Sequence, residues 1–180
     1  MTSQISKSIV IMIACLFMAV SNVNAQQQQQ QLPMAALIGQ SLSKLQDYTP
    51  EKALTCIAEL KRIDAMFPDS IQPKYQAALQ SLYYAVQFPH AGQTESLLAD
   101  VEQSIGKIGQ MPNNDASDLC TLKGFLYMVR IVQDPAQNAA RYYRDVLENY
   151  DKALKLNPDN QVAKDLQQKF MDGMQKAMGQ

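Results

Sequence analysis

The chain has no tryptophan and a single histidine, and each scarcity removes a class of chemistry. His90 stands in the turn-like "FPHAG" with no cysteine or second histidine beside it, so it reads as a solvated loop residue, and neither a metal site nor a histidine general base is expected. No glycine-rich phosphate loop, serine elbow or paired Cys and His occurs. Carboxylates spaced by three, Asp115 with Asp118 and Asp145 with Glu148, fall at a helix start or on a charged face, where solvation accounts for them. The expectation is a protein that is not an enzyme and takes no cofactor. Lysine and arginine are scattered singly or in pairs such as Lys61 with Arg62, lacking the clustered stripe that phosphate backbones require, so nucleic acid is not an expected partner.

Long apolar runs are also scarce, and the one present lies at the front. Residues 1–25 have the three zones of a secretory leader: a polar start carrying Lys7, the run "IVIMIACLFMAV" from Ile9 to Val20, and the polar "SNVNA". Val23 and Ala25 place small side chains where signal peptidase accepts them, which puts the expected cut between Ala25 and Gln26. Twelve apolar residues rise only about 18 Å as a helix against a hydrocarbon core of roughly 30 Å, so a cleaved leader is favoured over a membrane anchor and no stable span is expected after cleavage. Cys15, reading as a lipoprotein attachment site, is disfavoured because the apolar run continues through "LFMAV" beyond it. Export follows, to the periplasm in the first instance and to the extracellular space as the alternative. The six glutamines that come next offer no apolar face, so 26–32 is expected to be a disordered leader and 33–180 one foldable domain. Cleavage removes one of 16 basic residues and none of 17 acids, taking the formal charge from −1 to −2.

Two cysteines survive processing, Cys56 and Cys120. Both lie in apolar helical patterns where a free cysteine behaves as a small hydrophobe, although the compartment permits a bridge between them.

What remains is helical in pattern. From Pro33 onward apolar residues recur at three and four, and the breaks carry Pro, Asp, Asn or Gly. Seven helices are expected, near 34–47, 50–66, 72–88, 93–109, 115–133, 137–156 and 160–178. Thr49 before Pro50 and Glu51 places a capping hydroxyl, a proline at the first helical position and an acid at the positive end of the dipole. Ser70 leads into another proline-opened start, and "MFPDS" and "LNPDN" each stop a helix with proline. The sixth helix sets Tyr143, Val146, Leu147, Tyr150, Ala153 and Leu154 on one face, with Glu148 to Lys152 and Asp151 to Lys155 expected as ion pairs on the other. The fifth, "LCTLKGFLYMVRIV", is apolar nearly all round and is expected at the centre, with Gly124 admitting a neighbour.

Laid over each other, "LKRIDAMFPDS" and "YDKALKLNPDN" match at an offset of 90 residues. The second copy, extended through "YDKALKLNPDNQVAKDL", resembles the second half of a tetratricopeptide repeat, with Tyr150 at its aromatic position, Ala153 at its tight-packing alanine and Pro158 at its terminating proline. The stretch 117–166 is similar to segments of secreted tetratricopeptide-like proteins of Bacteroidetes-type bacteria, and 53–86 matches more loosely. With no tryptophan and an offset that is not a multiple of the repeat length, the fold implied is all-α: a degenerate tetratricopeptide-like array of helical pairs, with an irregular α-helical bundle as the fallback. Such arrays present a concave face to a protein or peptide partner. The resemblance therefore implies an exported, non-enzymatic protein-binding module, with lining from Gln76, Gln80, Tyr83, Tyr84, Lys123, Tyr127 and Arg130. The alternative is a helical carrier that binds lipid or another small hydrophobic ligand. A strip of Phe170, Met171, Met174 and Met178 on the last helix is expected either to dock on the preceding pair or to serve as an adhesive surface.

Overall fold

The computed structural model describes residues 33–179. The leader, its cut between Ala25 and Gln26, and the glutamine run lie outside the described residues, as does the side chain of Met178. The domain that begins at Met34 is all-α. Its helices are α1 (Met34–Ser43, continued by a 3₁₀ turn, Lys44–Asp47), α2 (Pro50–Met66), α3 (Ile71–Gln87), α4 (Thr94–Gln110), α5 (Ala116–Gln133), α6 (Pro135–Leu156) and α7 (Gln161–Met178), and no strand occurs among the described residues.

Consecutive helices pack on one another, and α5 touches α3, α4, α6 and α7, the central place that its apolar circumference requires. Phe125, Leu122 and Val129 are fully buried there, in a main core shared with Leu82, Leu98, Val146, Tyr150 and Leu166. A second cluster beneath α1 joins Ile38, Cys56, Leu60, Ile63 and Ala77.

Most helix starts are built by a side-chain oxygen that accepts an otherwise unpaired backbone N–H. Thr49 Oγ1 accepts from Lys52 N–H at 3.2 Å, Asp115 Oδ1 from Ser117 and Asp118, Asp134 Oδ1 from Gln137, and Asn160 Oδ1 from Ala163. Ser70 makes no such bond; its helix begins without a side-chain cap. Asp134 moves the start of α6 to Pro135, two residues ahead of the expected 137, because aspartate and proline form a cap and first position as a unit. The three turns closed by proline share one bond: Ser70 N–H to Phe67 O, Ala91 N–H to Phe88 O and Asn160 N–H to Asn157 O, at 3.0, 3.2 and 3.1 Å. This is the local basis of the repeated sequence pattern.

Asn160 does more than cap. Its Nδ2 lies 2.9 Å from Ser117 Oγ, 3.1 Å from Asp118 Oδ1 and 3.2 Å from Thr121 Oγ1, while Ser117 Oγ donates to Ala153 O at 2.8 Å. The turn between α6 and α7 is thereby fastened to α5.

Cys56 and Cys120 are both buried free thiols, not bridged to each other, in separate clusters: Cys56 packs with Ile38 and Leu60, Cys120 with Ala153 and Ala163. One expectation is corrected on α6: among the described residues the ion pair formed there is Arg144 with Glu148, at 3.5 Å within the helix, and Asp151 instead accepts from Gln167 Nε2 of α7 at 2.7 Å, a contact set by how the two helices meet.

Candidate functional site

Of the seven residues marked for a partner-binding face, six are half-buried on α3 and α5 and Tyr84 is buried. Tyr84 is 3% exposed and rests against Phe88, so it is a core side chain. Arg130 binds Glu95 at 2.9 Å and Glu102 at 3.0 Å, and also donates to Gln133 Oε1, which ties α5 to α4. These contacts, led by the hydrogen bond from Arg130, hold the Glu95 carboxyl below its ordinary range. Tyr127 stacks on Tyr142 with ring centroids 5.4 Å apart, and the Arg141 guanidinium lies 4.9 Å from the Tyr142 ring centroid on α6. Gln76, Gln80 and Lys123 are half-buried along α3 and α5. Tyr83 alone among the seven reaches the cleft described next.

That cleft exists because α7 packs on α5 and α6 and stays apart from α3. Its volume is about 570 Å³, within the range of roughly 300–1,000 Å³ typical of small-molecule sites. Tyr83 and Val86 of α3 form one wall; Phe125, Met128, Ile131 and Val132 of α5 form the floor. Pro135 and Ala139 at the start of α6 close one end, and Leu166, Phe170, Gly173 and Met174 of α7 form the facing wall.

Several lining residues are held by the core behind them. Phe125 is fully buried and meets the Tyr83 ring edge-on, centroids 5.1 Å apart with planes at 70°. Phe170 is supported from behind by Tyr143 at 5.7 Å. Met128 receives the Tyr150 hydroxyl at its sulfur, 3.9 Å away. Val132 is 37% exposed, so the cleft is open on that side. The floor is therefore rigid and apolar, and the wall supplied by α7 is its outer edge.

Polar groups here are few. The lining carries one charged side chain, Lys169, with Gln87 and the Tyr83 hydroxyl as its other polar groups. Burial first, then the negative charge of Asp165, raises the Tyr83 phenol above its ordinary range, so it remains a neutral hydroxyl at physiological pH. A larger groove of about 840 Å³ carries the charged side chains Lys61, Asp64, Lys74 and Lys107. There Lys74 pairs with Asp64, and Lys61 with Asp100, so most of its charge is already neutralised. The apolar cleft is the place where a ligand would gain most by leaving water.

The last-helix strip divides between the two roles expected of it. Phe170 is docked in the core, Met174 faces the cleft and Met171 is 45% exposed on the outer side. Sequence reading missed the α5 and α6 members of the lining, because Phe125, Met128, Ile131 and Ala139 carry the same periodicity as any core residue. Among the described residues no group of His, Cys, Asp and Glu is placed to hold a metal ion, and no helix is long and apolar enough to cross a membrane.

Fold and cleft together define an all-α helical array with an apolar cleft between α3, α5 and α7. No family model matches the chain, and no curated protein matches it. Among solved structures, the HusA haemophore from Porphyromonas gingivalis is similar at a TM-score of 0.68 and 21% identity, covering 79% of this chain and 70% of that one. At that identity the likeness establishes the shared fold.

Proposed function

We propose that this chain is an exported, non-enzymatic carrier of a small, largely apolar ligand held in the cleft between α3 and α7. The observation that carries the reading is the cleft itself: a rigid apolar floor, about 570 Å³ of space and a single charged lining residue. A structural neighbour that is by its title a haemophore makes haem the first ligand to try, with lipid as the competing apolar cargo. Under this reading haem is cargo, held by the faces of its ring against Val132, Phe170 and Met174.

The carrier reading is preferred to a peptide-docking scaffold because Tyr84, Arg130 and Tyr127 are already engaged within the domain. A tetratricopeptide-like ancestry for the α5–α6 pair stays a proposal, supported by the packing of Tyr150 on Gly124 and by the repeated proline turn. Export rests on the leader at 1–25.

The test is native mass spectrometry of the chain purified from its exported fraction, followed by titration with haem and with a fatty acid. A bound apolar cofactor or lipid mass and saturable one-to-one binding are expected. A clean ligand-free mass together with no saturable binding of either compound overturns the proposal. Intact mass of the same material checks export: the expected amino terminus is Gln26, with loss of one ammonia if it has cyclised.

A further inference from the structure

We infer that α7 is the recognition helix of this cleft. Lys169 takes an anionic group at one edge of the ligand, and Gly173, one turn further on, lets a flat apolar face lie directly against the helix backbone. The inference rests on the carrier reading and narrows its ligand class to a flat apolar molecule with a carboxylate or similar anion at its rim.

Lys169 is the one charged residue of the lining, and among the described residues no acid stands within ion-pairing distance of it. Its helix neighbours of opposite charge are otherwise engaged: Asp165 accepts from Gln161 Nε2 at 2.6 Å and Asp172 from Gln168 Nε2 at 2.7 Å. With Tyr83 held neutral, nothing in the lining cancels the ammonium. Lys169 is exposed, so its ammonium stands in water at the edge of the cleft, where an anionic rim pairs with it while the ligand's apolar body lies inside.

Gly173 carries the second half. A glycine inside a helix is less favourable than alanine, so close approach of another group is the natural reason for one. At Gly124 the reason is a neighbouring ring; at Gly173 a Cβ would meet no atom within 4 Å, so packing of the protein does not demand the glycine. Yet Gly173 lines the cleft. Residues 169 and 173 are four apart and so share one face of α7. The bare backbone there gives a planar ligand a surface without a protruding methyl. Gly39 and Gly106 likewise have open space at Cβ but do not line the cleft, which makes them internal controls.

The experiment titrates the mature chain with protoporphyrin IX, which has two carboxylates, and with its dimethyl ester, which has none, following porphyrin fluorescence. Wild type is expected to favour the diacid by about three- to tenfold. Lys169→Met should erase that preference and Lys169→Arg retain it. Gly173→Ala should weaken both porphyrins by about tenfold while raising the melting temperature, whereas Gly39→Ala and Gly106→Ala should raise it with affinity unchanged. Equal affinity of wild type for diacid and ester, or a preference surviving in Lys169→Met, overturns the charge assignment. Wild-type affinity in Gly173→Ala overturns the flat-face assignment. If wild type binds neither porphyrin but still binds a fatty acid, this inference falls and the carrier reading stands; if it binds none of the three, both fall.

Discussion

Gly124 of α5 lies directly under the ring of Tyr150 of α6: a Cβ at 124 would stand 2.9 Å from Tyr150 Cε1 and 3.0 Å from Cδ1. Tyr150 is fully buried, so its ring has nowhere to retreat. The two helices approach as closely as they do because one of them has no side chain at the contact.

Gly124→Ala should therefore destabilise the domain by about 1–3 kcal/mol in urea unfolding, the overpacking cost exceeding the helix-propensity gain. Tyr150→Phe should be nearly neutral, because the hydroxyl makes only a long contact to Met128 sulfur. A Gly124→Ala, Tyr150→Leu double variant should recover part of the Gly124→Ala loss, and strict additivity of the two would show that the contact is not the cause.

Asn160→Ala removes a cap and the links to Ser117, Asp118 and Thr121 together, and is expected to cost about 2–4 kcal/mol. Asp134→Ala, which loses a cap alone, should cost about 1 kcal/mol. Thermal melts of the two variants under one condition compare them, and equal losses would deny Asn160 its fastening role.

Two carboxylates should move stability with pH in opposite senses. The hydrogen bond from Lys44, above all, lowers the Glu59 carboxyl from its ordinary 4.5, so its contribution is present above that value and is lost as pH falls through the lowered one. Asp118 is raised from 3.8 by burial and then by Asp115, against the hydrogen bond from Asn160; its folded state favours the proton, so stability is gained as pH falls through the raised value. Glu59→Gln should lower the melting temperature at pH 7 and Asp118→Asn should raise it, with both differences fading toward about pH 3. Melts from pH 3 to pH 8 read the two signs.

Truncation separates the two jobs of α7. A chain ending after Asp165 loses Leu166 and Phe170 from the main core and should lose its cooperative melt, since each such side chain is worth about 2–5 kcal/mol. A chain ending after Asp172 keeps both while losing Gly173, Met174 and Ala177 from the cleft wall. It should melt within a few degrees of the full chain and bind porphyrin poorly.

The helices were legible because capping and proline chemistry is local. Thr49 with Pro50, Asp134 with Pro135 and Asn157 with Pro158 mark boundaries within two residues of where they fall, and the apolar circumference of α5 was enough to place it at the centre. The disulfide question and the α6 ion pairs were not legible, because both depend on which faces meet across helices. The cleft was least legible of all. It is a space where α7 fails to cover α3, and nothing in a periodic pattern distinguishes a residue that meets another side chain from one that meets a gap. Lys169, immediately ahead of the strip of Phe170, Met171, Met174 and Met178, is the one local signal of it.

The separately buried thiols give the domain a built-in gauge of its own opening. Burial, then Glu59, against the opposing pull of Lys44, pushes Cys56 up to about 11, leaving roughly one molecule in ten thousand as thiolate at pH 7. Alkylation must wait for the chain to open. Cys56 reports release of α1 and α2 from their cluster, and Cys120 reports loosening where α5 meets α6 and α7. Comparing the two labelling rates in one sample, with and without ligand, reads directly whether cargo tightens the whole array or only the half that holds it.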